Sequence, residues 1–404
     1  MAEFDRRKFL IASAGVGAAG VLSGAVAITL PDLLRSAQDR PLTAGSGILV
    51  IVTLYGGNDG INTLIPYSDN AYYDARPEIA IKPSEVLPLD GQLGLNPALK
   101  GLAAQWHNQK LAIVRGVGYP NQDRSHFRSM DIWQTASPSA PVPTGWIGRW
   151  LDATGDDPLR AVGIGPVLPL AAIGEKHVAA ALLPGIPQLS RKVASTLAVL
   201  GHDDPHDTRA MSAVRASCRA SGTTRTAFEP VVSTRDLAPP STGQGDKSLS
   251  PDLSVVAACV KAGVPTRVYL VEDRGDFDTH ADEPGAHQTL LQNLDVSLTG
   301  FLNEMMLDDR GKHVVVMVYS EFGRRVAANA SEGTDHGTAG PVFIAGAPVK
   351  GGFYGDQPSL TDLVEGDLKT TTDFRDIYHE LLSKTTGTDP GPSVGTGHRD
   401  LGFL

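Results

Sequence analysis

Five short blocks of the chain hold the residue types that metal-assisted and acid–base chemistry need. They are Gly57-Asn58-Asp59-Gly60-Ile61-Asn62, Asn121-Gln122-Asp123-Arg124-Ser125-His126-Phe127-Arg128, Asp276-Phe277-Asp278-Thr279-His280-Ala281-Asp282, Ser320-Glu321-Phe322-Gly323-Arg324-Arg325 and Gly333-Thr334-Asp335-His336-Gly337. Of eleven histidines, His126, His280 and His336 lie inside the blocks, and His287 follows the third. Carboxylates and imidazoles bind borderline or hard divalent ions, and an Asp or Glu oxygen can bridge two of them. Two such ions about 4 Å apart stabilise both the attacking and the leaving oxygen of a phosphoryl-type displacement. Ser125 precedes a helix-like run, and a helix N-terminus favours an oxyanion or phosphate. Arg124, Arg128 and Arg324 carry guanidiniums that can clamp ester oxygens two at a time.

Each residue also has a structural use. Asp59 suits a turn flanked by glycines. Ser125 suits a helix cap. Asp278 and His280 alternate on one face of an extended segment and can bond each other. Glu321 can pair with Arg324 or Arg325. His287, four residues before Leu291, falls on an apolar helix face and reads equally as a satisfied core histidine. His336 has the least structural excuse.

The blocks need a frame. Residues 47–55 form a continuous β-branched run, which predicts a strand buried on both faces. Further strands are expected at 111–114, 161–164, 178–183, 266–271, 313–319 and 341–345. Helices are expected at 97–109, with Pro97 in the first turn, and at 254–262 and 287–306. Residues 121–136 read as a loop entering a helix, and 372–383 as a last helix capped by Thr371 or Thr372 with Asp373 in its first turn. In the 287–306 run, Leu291, Leu294, Leu298, Phe301 or Leu302, and Met305 recur at helical spacing. Buried strands alternating with helices predict an α/β fold: a mostly parallel sheet with helices on both faces. Such sheets bind ligands beyond the carboxyl ends of their strands. Four of the five blocks follow a predicted strand, and the fifth lies in a Gly-rich loop.

The chain has 404 residues, with Lys+Arg 35 against Asp+Glu 45 and a net charge of −10. An acidic chain without a basic run predicts no nucleic-acid partner. Cys218 and Cys259 are too few for a disulfide scaffold or a Cys-rich zinc module. Cys259 sits in an apolar run and reads as a buried thiol, with a Cys218–Cys259 bridge as the alternative. No GxGxxG occurs beyond the uncharged N-terminal run and no Walker loop occurs, which argues against a nicotinamide or ATP enzyme. At the N-terminus, Asp5-Arg6-Arg7-Lys8-Phe9-Leu10 reads as a twin-arginine export signal, and the uncharged run to Leu30 follows it. Ala25-Val26-Ala27 is a cleavage candidate. An uncleaved segment would instead anchor the protein to the membrane. The expected organisation is a signal segment over 1–40 and one α/β domain over 41–404, with a loop-rich excursion near 221–250.

Together the blocks resemble a bacterial family of secreted proteins, domain of unknown function family 1501. The ordered motifs are Leu54-Tyr55-Gly56-Gly57-Asn58-Asp59, Arg124-Ser125-His126-Phe127, Arg274-Gly275-Asp276-Phe277-Asp278-Thr279-His280, Ser320-Glu321-Phe322-Gly323-Arg324 and Thr334-Asp335-His336-Gly337, closed by Thr372-Asp373-Phe374-Arg375. Asp276 stands where the family pattern has a second glycine. The resemblance implies an alkaline phosphatase/sulfatase-like fold. It implies metal ligation by Asp59, Asp278, His280, Glu321 and His336. It implies a Ser125 nucleophile. The expected catalytic set adds His126 from the same block and Arg128 or Arg324 to steady the leaving anion. The superfamily spaces one metal pair as Asp-x-x-x-His, whereas here the pair is Asp278-x-His280, and Glu321 has no histidine beside it.

The expected function is an exported, metal-dependent hydrolase of phosphate or sulfate esters. Zinc, manganese and calcium stay open. Its partners would be a small anionic ester and, during export, the twin-arginine translocase. The location would be the periplasm or the cell exterior. A non-catalytic envelope binding protein of the same fold is the main rival. A secreted serine esterase is a remote one, since no Gly-Asp-Ser block lies near the start of the chain.

Overall fold

The computed structural model describes residues 27–165, 167–182 and 249–404. The twin-arginine motif, Cys218 and residues 221–248 of the excursion lie outside the described residues, so neither the signal nor a Cys218 pairing is described. From the N-terminal side, β1 (Ala27–Ile28) leads into α1 (Leu30–Asp39), then β2 (Ile48–Leu54), α2 (Gly60–Thr63), β3 (Leu64–Ile65) and α3 (Asn70–Ala75). Next come β4 (Leu87–Pro88), β5 (Gly94–Leu95), α4 (Lys100–His107), β6 (Leu111–Gly118), α5 (His126–Thr135) and α6 (Trp146–Thr154). Then follow β7 (Ala161–Ile164), β8 (Ala180–Leu182), α7 (Ser250–Ala262), β9 (Val268–Asp273), α8 (Glu283–Leu307), β10 (Val314–Ser320) and β11 (Gly340–Ala345). The chain closes with β12 (Gly352–Tyr354), β13 (Thr372–Asp373), α9 (Phe374–Glu380) and α10 (Gly391–Val394).

The main sheet runs β1-β8-β7-β9-β2-β10-β11-β6-β12, and β13 also pairs with β6. Every pairing in it is parallel except those of β11, which runs antiparallel to both β10 and β6. The pleat decides the two cores. Ile48, Val50, Val52 and Leu54 of β2 face a core with α1, α4, α7 and α8. Leu49 and Ile51 face the other core, with α5, α6 and α9. β10 does the same with Val314, Val316 and Val318 against Val315, Met317 and Tyr319. A strand covered on both sides needs apolar residues at every position, which is why these runs do not alternate in polarity. A second sheet, β3-β5-β4, is small and antiparallel.

The expected α/β class with helices on both faces is therefore what the chain adopts. Several boundaries differ. Pro97 lies in a turn ahead of α4 rather than in its first turn. β6 continues to Gly118, four residues beyond the expected end at Val114. α7 and α8 begin earlier than expected because Pro251 and Pro284 start them, a residue that fits a helix's first turn. The last helix begins at Phe374, and Asp373 is its cap, accepting from the Arg375 N–H, while Thr372 belongs to β13. Helix α6 was not expected. Trp146 stacks on Tyr378 at a centroid distance of 4.0 Å, a contact 232 positions apart that no local pattern announces. Residues 27–39 also depart from the expected boundary at 40, because β1 pairs with β8 and Leu33 of α1 is fully buried. Cys259 is buried in the α7 core, and burial pushes its thiol up to about 12.

Asp59 does not reach the mouth of the sheet. It is fully buried, caps α2 through the Ile61 N–H, and forms an ion pair with the equally buried Arg76. Arg76 spends its other donors on the carbonyls of Arg325 and Val326. A buried carboxylate needs such a partner, because an unpaired one is prohibitively costly to desolvate. Beside this pair lie Glu283, which accepts from the Thr334 hydroxyl at 2.6 Å, and His287, whose Nε2 meets the Asn58 side-chain oxygen at 2.9 Å. His287 is thus a satisfied core histidine. Burial raises the Asp59 carboxyl, but Arg76 outweighs it and holds it below the usual range. Burial and then the Asp59 charge push Glu283 well above that range. Burial lowers His287 to about 4.

Two predictions follow from this packing. Leu298→Ala, on the buried face of α8, is expected to cost about 2–5 kcal/mol, whereas Val296→Ala, on its exposed face, stays within about 0.5 kcal/mol. Equal costs in chemical denaturation would contradict the orientation of α8. Glu283 keeps its proton in the folded chain and loses it when unfolded, so its contribution is fully present at acid pH and is lost as pH rises through neutrality. His287 has the opposite sign: its contribution is lost as pH falls from 6.5 towards 4. Glu283→Gln should therefore gain stability over wild type progressively from pH 5 to pH 9, on the order of a few kcal/mol. A difference in denaturation midpoint that is flat across that range would rule this out.

Candidate functional site

The remaining motif residues converge where the strands end. β2, β6, β9 and β10 deliver Gly56–Asp59, Ser125–Arg128, Asp278–His280 and Glu321–Arg324 from their carboxyl ends. His336 precedes β11, whose antiparallel direction brings its N-terminal end to the same edge. One reversed strand is what lets the fifth block join the other four.

Asp278 stands at the centre. Its Oδ1 lies 3.0 Å from Nε2 of His280 and 3.1 Å from Nε2 of His336, and its Oδ2 lies 3.4 Å from Nε2 of His126. The Nε2 atoms of His280 and His336 are 2.9 Å apart. Ligand atoms of His126, Asp278 and His336 all lie within 4.8 Å of one another. On the far side of each ring, Nδ1 meets an oxygen: Glu321 Oε1 at 2.7 Å for His126, the Arg124 carbonyl at 2.9 Å for His336, and Asp335 Oδ1 at 3.3 Å for His280. These oxygens only accept, so each imidazole donates from Nδ1, and its Nε2 faces the Asp278 carboxylate, able to donate to it when protonated or to offer a lone pair to a cation when neutral. The Nε2 atoms of His280 and His336 face each other across 2.9 Å, and His126 Nε2 is buried with no hydrogen-bond partner among the described residues. A divalent cation fits this donor set, since metal-bound histidines hold their second nitrogen in this way.

The ring of support is buried. Glu321 is almost fully enclosed and also accepts from the Gly56 N–H at 2.9 Å and the Ser320 hydroxyl at 2.8 Å. It therefore orients His126 from behind rather than joining Asp278 at the centre. Arg324 is likewise buried, and its donors go to the carbonyls of Gly56, Gly57, Phe277 and Thr334 and to Asp278 Oδ1 at 2.6 Å. Its fork is fully engaged, so the expectation that it clamps a substrate anion gives way to a role in positioning Asp278. Burial alone would raise the Asp278 carboxyl, but Arg324 and His336 outweigh it and hold it at about 2. The Glu321 hydrogen bond raises His126, and burial lowers His336.

Ser125 is exposed at the head of α5, and its hydroxyl makes no capping bond. Arg128 is half-buried on the first turn, with no hydrogen bond among the described residues. The structure therefore brings together His126, Asp278, His280 and His336, puts Glu321 and Arg324 behind them, sets Ser125 and Arg128 at the rim, and leaves Asp59 apart. Arg124, expected to clamp an ester oxygen, instead holds His336 through its carbonyl while its side chain is tied to Asp367. Asp335, which had no role of its own in the sequence reading, holds His280. Both lie inside the motif blocks, next to a histidine, which was the available signal. Arg76 had none.

Comparison with known proteins bears on the family. No curated protein matches the chain. Among solved structures it is similar to a protein in the alkaline phosphatase superfamily from Vibrio parahaemolyticus, at 12% identity over 92% of this chain and 77% of that one, with a TM-score of 0.40. It is similar to alkaline phosphatase from the Antarctic bacterium TAB5, at 12% identity over 85% of this chain and 100% of that one, TM-score 0.39. It is also similar to murine ectonucleotide pyrophosphatase/phosphodiesterase 5, at 9% identity over 88% and 97%, TM-score 0.37. Residues 252–396, which carry the Asp278–His280, Glu321–Arg324 and His336 blocks, match the family described as protein of unknown function (DUF1501), so the resemblance read from the motifs is borne out across the C-terminal region of the chain.

Proposed function

We propose that the chain is a metal-dependent hydrolase of small anionic esters, phosphate or sulfate. The observation that carries this reading is the convergence of three inward-turned imidazoles on Asp278 at the carboxyl edge of the sheet. His126, Asp278 and His336 would hold the cation, with His280 beside them. The nitrogen-rich set suits zinc better than manganese or calcium, which favour oxygen ligands. When bound, a divalent ion supplies Lewis-acid polarisation and lowers the pKa of an attacking hydroxyl.

The chain's own residues do the rest. Ser125 presents an uncommitted hydroxyl next to His126 and at a helix head, where the dipole favours a developing anion. Its oxygen forms the bond to phosphorus or sulfur as the ester oxygen leaves, and water then releases the acid and restores the serine. Arg128 offers a free guanidinium at the rim for the ester's non-bridging oxygens. Arg324 and Glu321 keep Asp278 and His126 in place throughout.

We also propose export by the twin-arginine route to the periplasm or cell exterior. The support is the Asp5–Leu10 motif and the uncharged run that follows it. Among the described residues no helix is long and apolar enough to cross a membrane. A second reading, an envelope protein that binds anions without turning them over, is favoured by one observation. Asp59 is committed to Arg76 and Glu321 to His126, so the described residues offer one cation site rather than two.

Elemental analysis of protein from the native host, paired with turnover of aryl phosphates and sulfates, tests these readings. About one divalent ion per chain is expected, zinc before manganese. Asp278→Asn should lower that content, whereas Ser125→Ala should keep the metal and lose roughly two orders of magnitude or more of turnover. Bound metal without turnover in wild type would select the binding protein. Neither metal nor turnover would dismiss both.

A further inference from the structure

Five large apolar side chains are conspicuously exposed among the described residues: Phe127, Val167, Val296, Leu307 and Val364. Only one of them is aromatic, and it is the neighbour of His126 in the chain. Phe127 is 77% exposed and directly follows Ser125 and His126 on the first turn of α5. The helix's buried face is made by Ser129, Met130, Ile132 and Trp133, which leaves Phe127 on the open flank with Arg128. Side chains on a helix lean toward its N-terminus, so the ring leans toward the end that carries the Ser125 hydroxyl and the His126 imidazole. The turn holding Val364 is tied to the segment before α5 by Arg124, which bonds Asp367 at 2.8 Å and Glu365 at 3.4 Å.

We propose that Phe127 is a stacking platform for the organic part of the substrate, so that the site selects esters of planar, aromatic alcohols. This rests on the hydrolase reading above and names its substrate class. An exposed phenylalanine is held out of the core at a cost in apolar area, and an aromatic face recovers that cost by offset stacking on another ring. The chemistry is matched across the site. The cation cluster and Arg128 receive the anionic head, and Phe127 receives the apolar body that the head is attached to. A protein-docking patch needs a contiguous apolar area of several hundred Å², and the other exposed apolar residues sit on different elements, so one ring serves a small molecule better.

The test compares benzyl, cyclohexylmethyl and ethyl esters of phosphate and of sulfate on the full-length protein. The leaving alcohols are alike in chemistry, and only benzyl has a π face. Wild type is expected to prefer benzyl over cyclohexylmethyl in kcat/KM. Phe127→Ala should reduce the benzyl-to-cyclohexylmethyl ratio about three- to tenfold, mainly through KM. Phe127→Tyr, which keeps the ring, should retain the ratio. Turnover with a ratio that Phe127→Ala does not change would overturn the aromatic subsite and leave the hydrolase standing. A ratio lost equally in Phe127→Tyr would overturn stacking as the cause. Wild type turning over none of the esters would overturn the hydrolase reading and the subsite with it.

Discussion

The site depends on one buried cation. The Arg324 guanidinium, shut away from solvent, is bonded to the carbonyls of Gly56, Gly57, Phe277 and Thr334 and to the Asp278 carboxylate. A charge in that position is tolerable only if every donor is satisfied. The three segments after β2, after β9 and before β11 must therefore come together around it, and each supplies at least one oxygen. Gly56 and Gly57 make that approach possible. Both have positive φ, and a Cβ at Gly56 would sit 2.4 Å from the Asp278 nitrogen, while one at Gly57 would sit 2.1 Å from the Phe322 ring. The motif's two glycines are thus a consequence of how closely its backbone meets the Asp278 and Phe322 segments.

From that clamp the electrostatics are set outward. Asp278 is ionised because Arg324 faces it, and its charge draws three imidazoles to the same point. Each imidazole is turned by an oxygen behind it, and those oxygens belong to different parts of the fold: a carboxylate after β10, a backbone carbonyl before α5, and an aspartate before β11. The chain's acidic balance is therefore locally divided. Glu321 and Asp335 orient the rings, Asp278 gathers them, and Asp59 and Glu283 serve a separate buried network around Arg76.

The strands that carry the site were legible because burial on both faces leaves a continuous apolar run, and β2, β9 and β10 each have one. The long helix α8 was legible because Leu291, Leu294, Leu298 and Met305 repeat with the helical period and all are buried. Helix α6 was not, since the surfaces that its tryptophans bury against come from α9 and from the end of the chain. The blocks around Asp278 and His336 were recognisable as chemistry because they combine carboxylate and imidazole in short loops after strands. Asp59 has the same residue type in the same kind of loop, yet its fate was fixed by Arg76, seventeen positions away on α3's end, where nothing in the local sequence signals a partner.

The amino-acid sequence by itself determined the class of sheet, the edge at which the polar blocks would lie, and the residue types available there. Those follow from local periodicity and from which residues can sit at a strand's end. Tertiary structure decided the division of labour: which carboxylate meets imidazoles, which meets guanidinium, and which arginine faces solvent. Aspartates have one chemistry, and their roles differ only through partners brought near by folding. Asp278 and Asp59 are both paired with arginine, but Asp278 stays one-third open beside three histidines, and Asp59 is sealed. That difference in access separates a site from a strut, and no spacing along the chain encodes it.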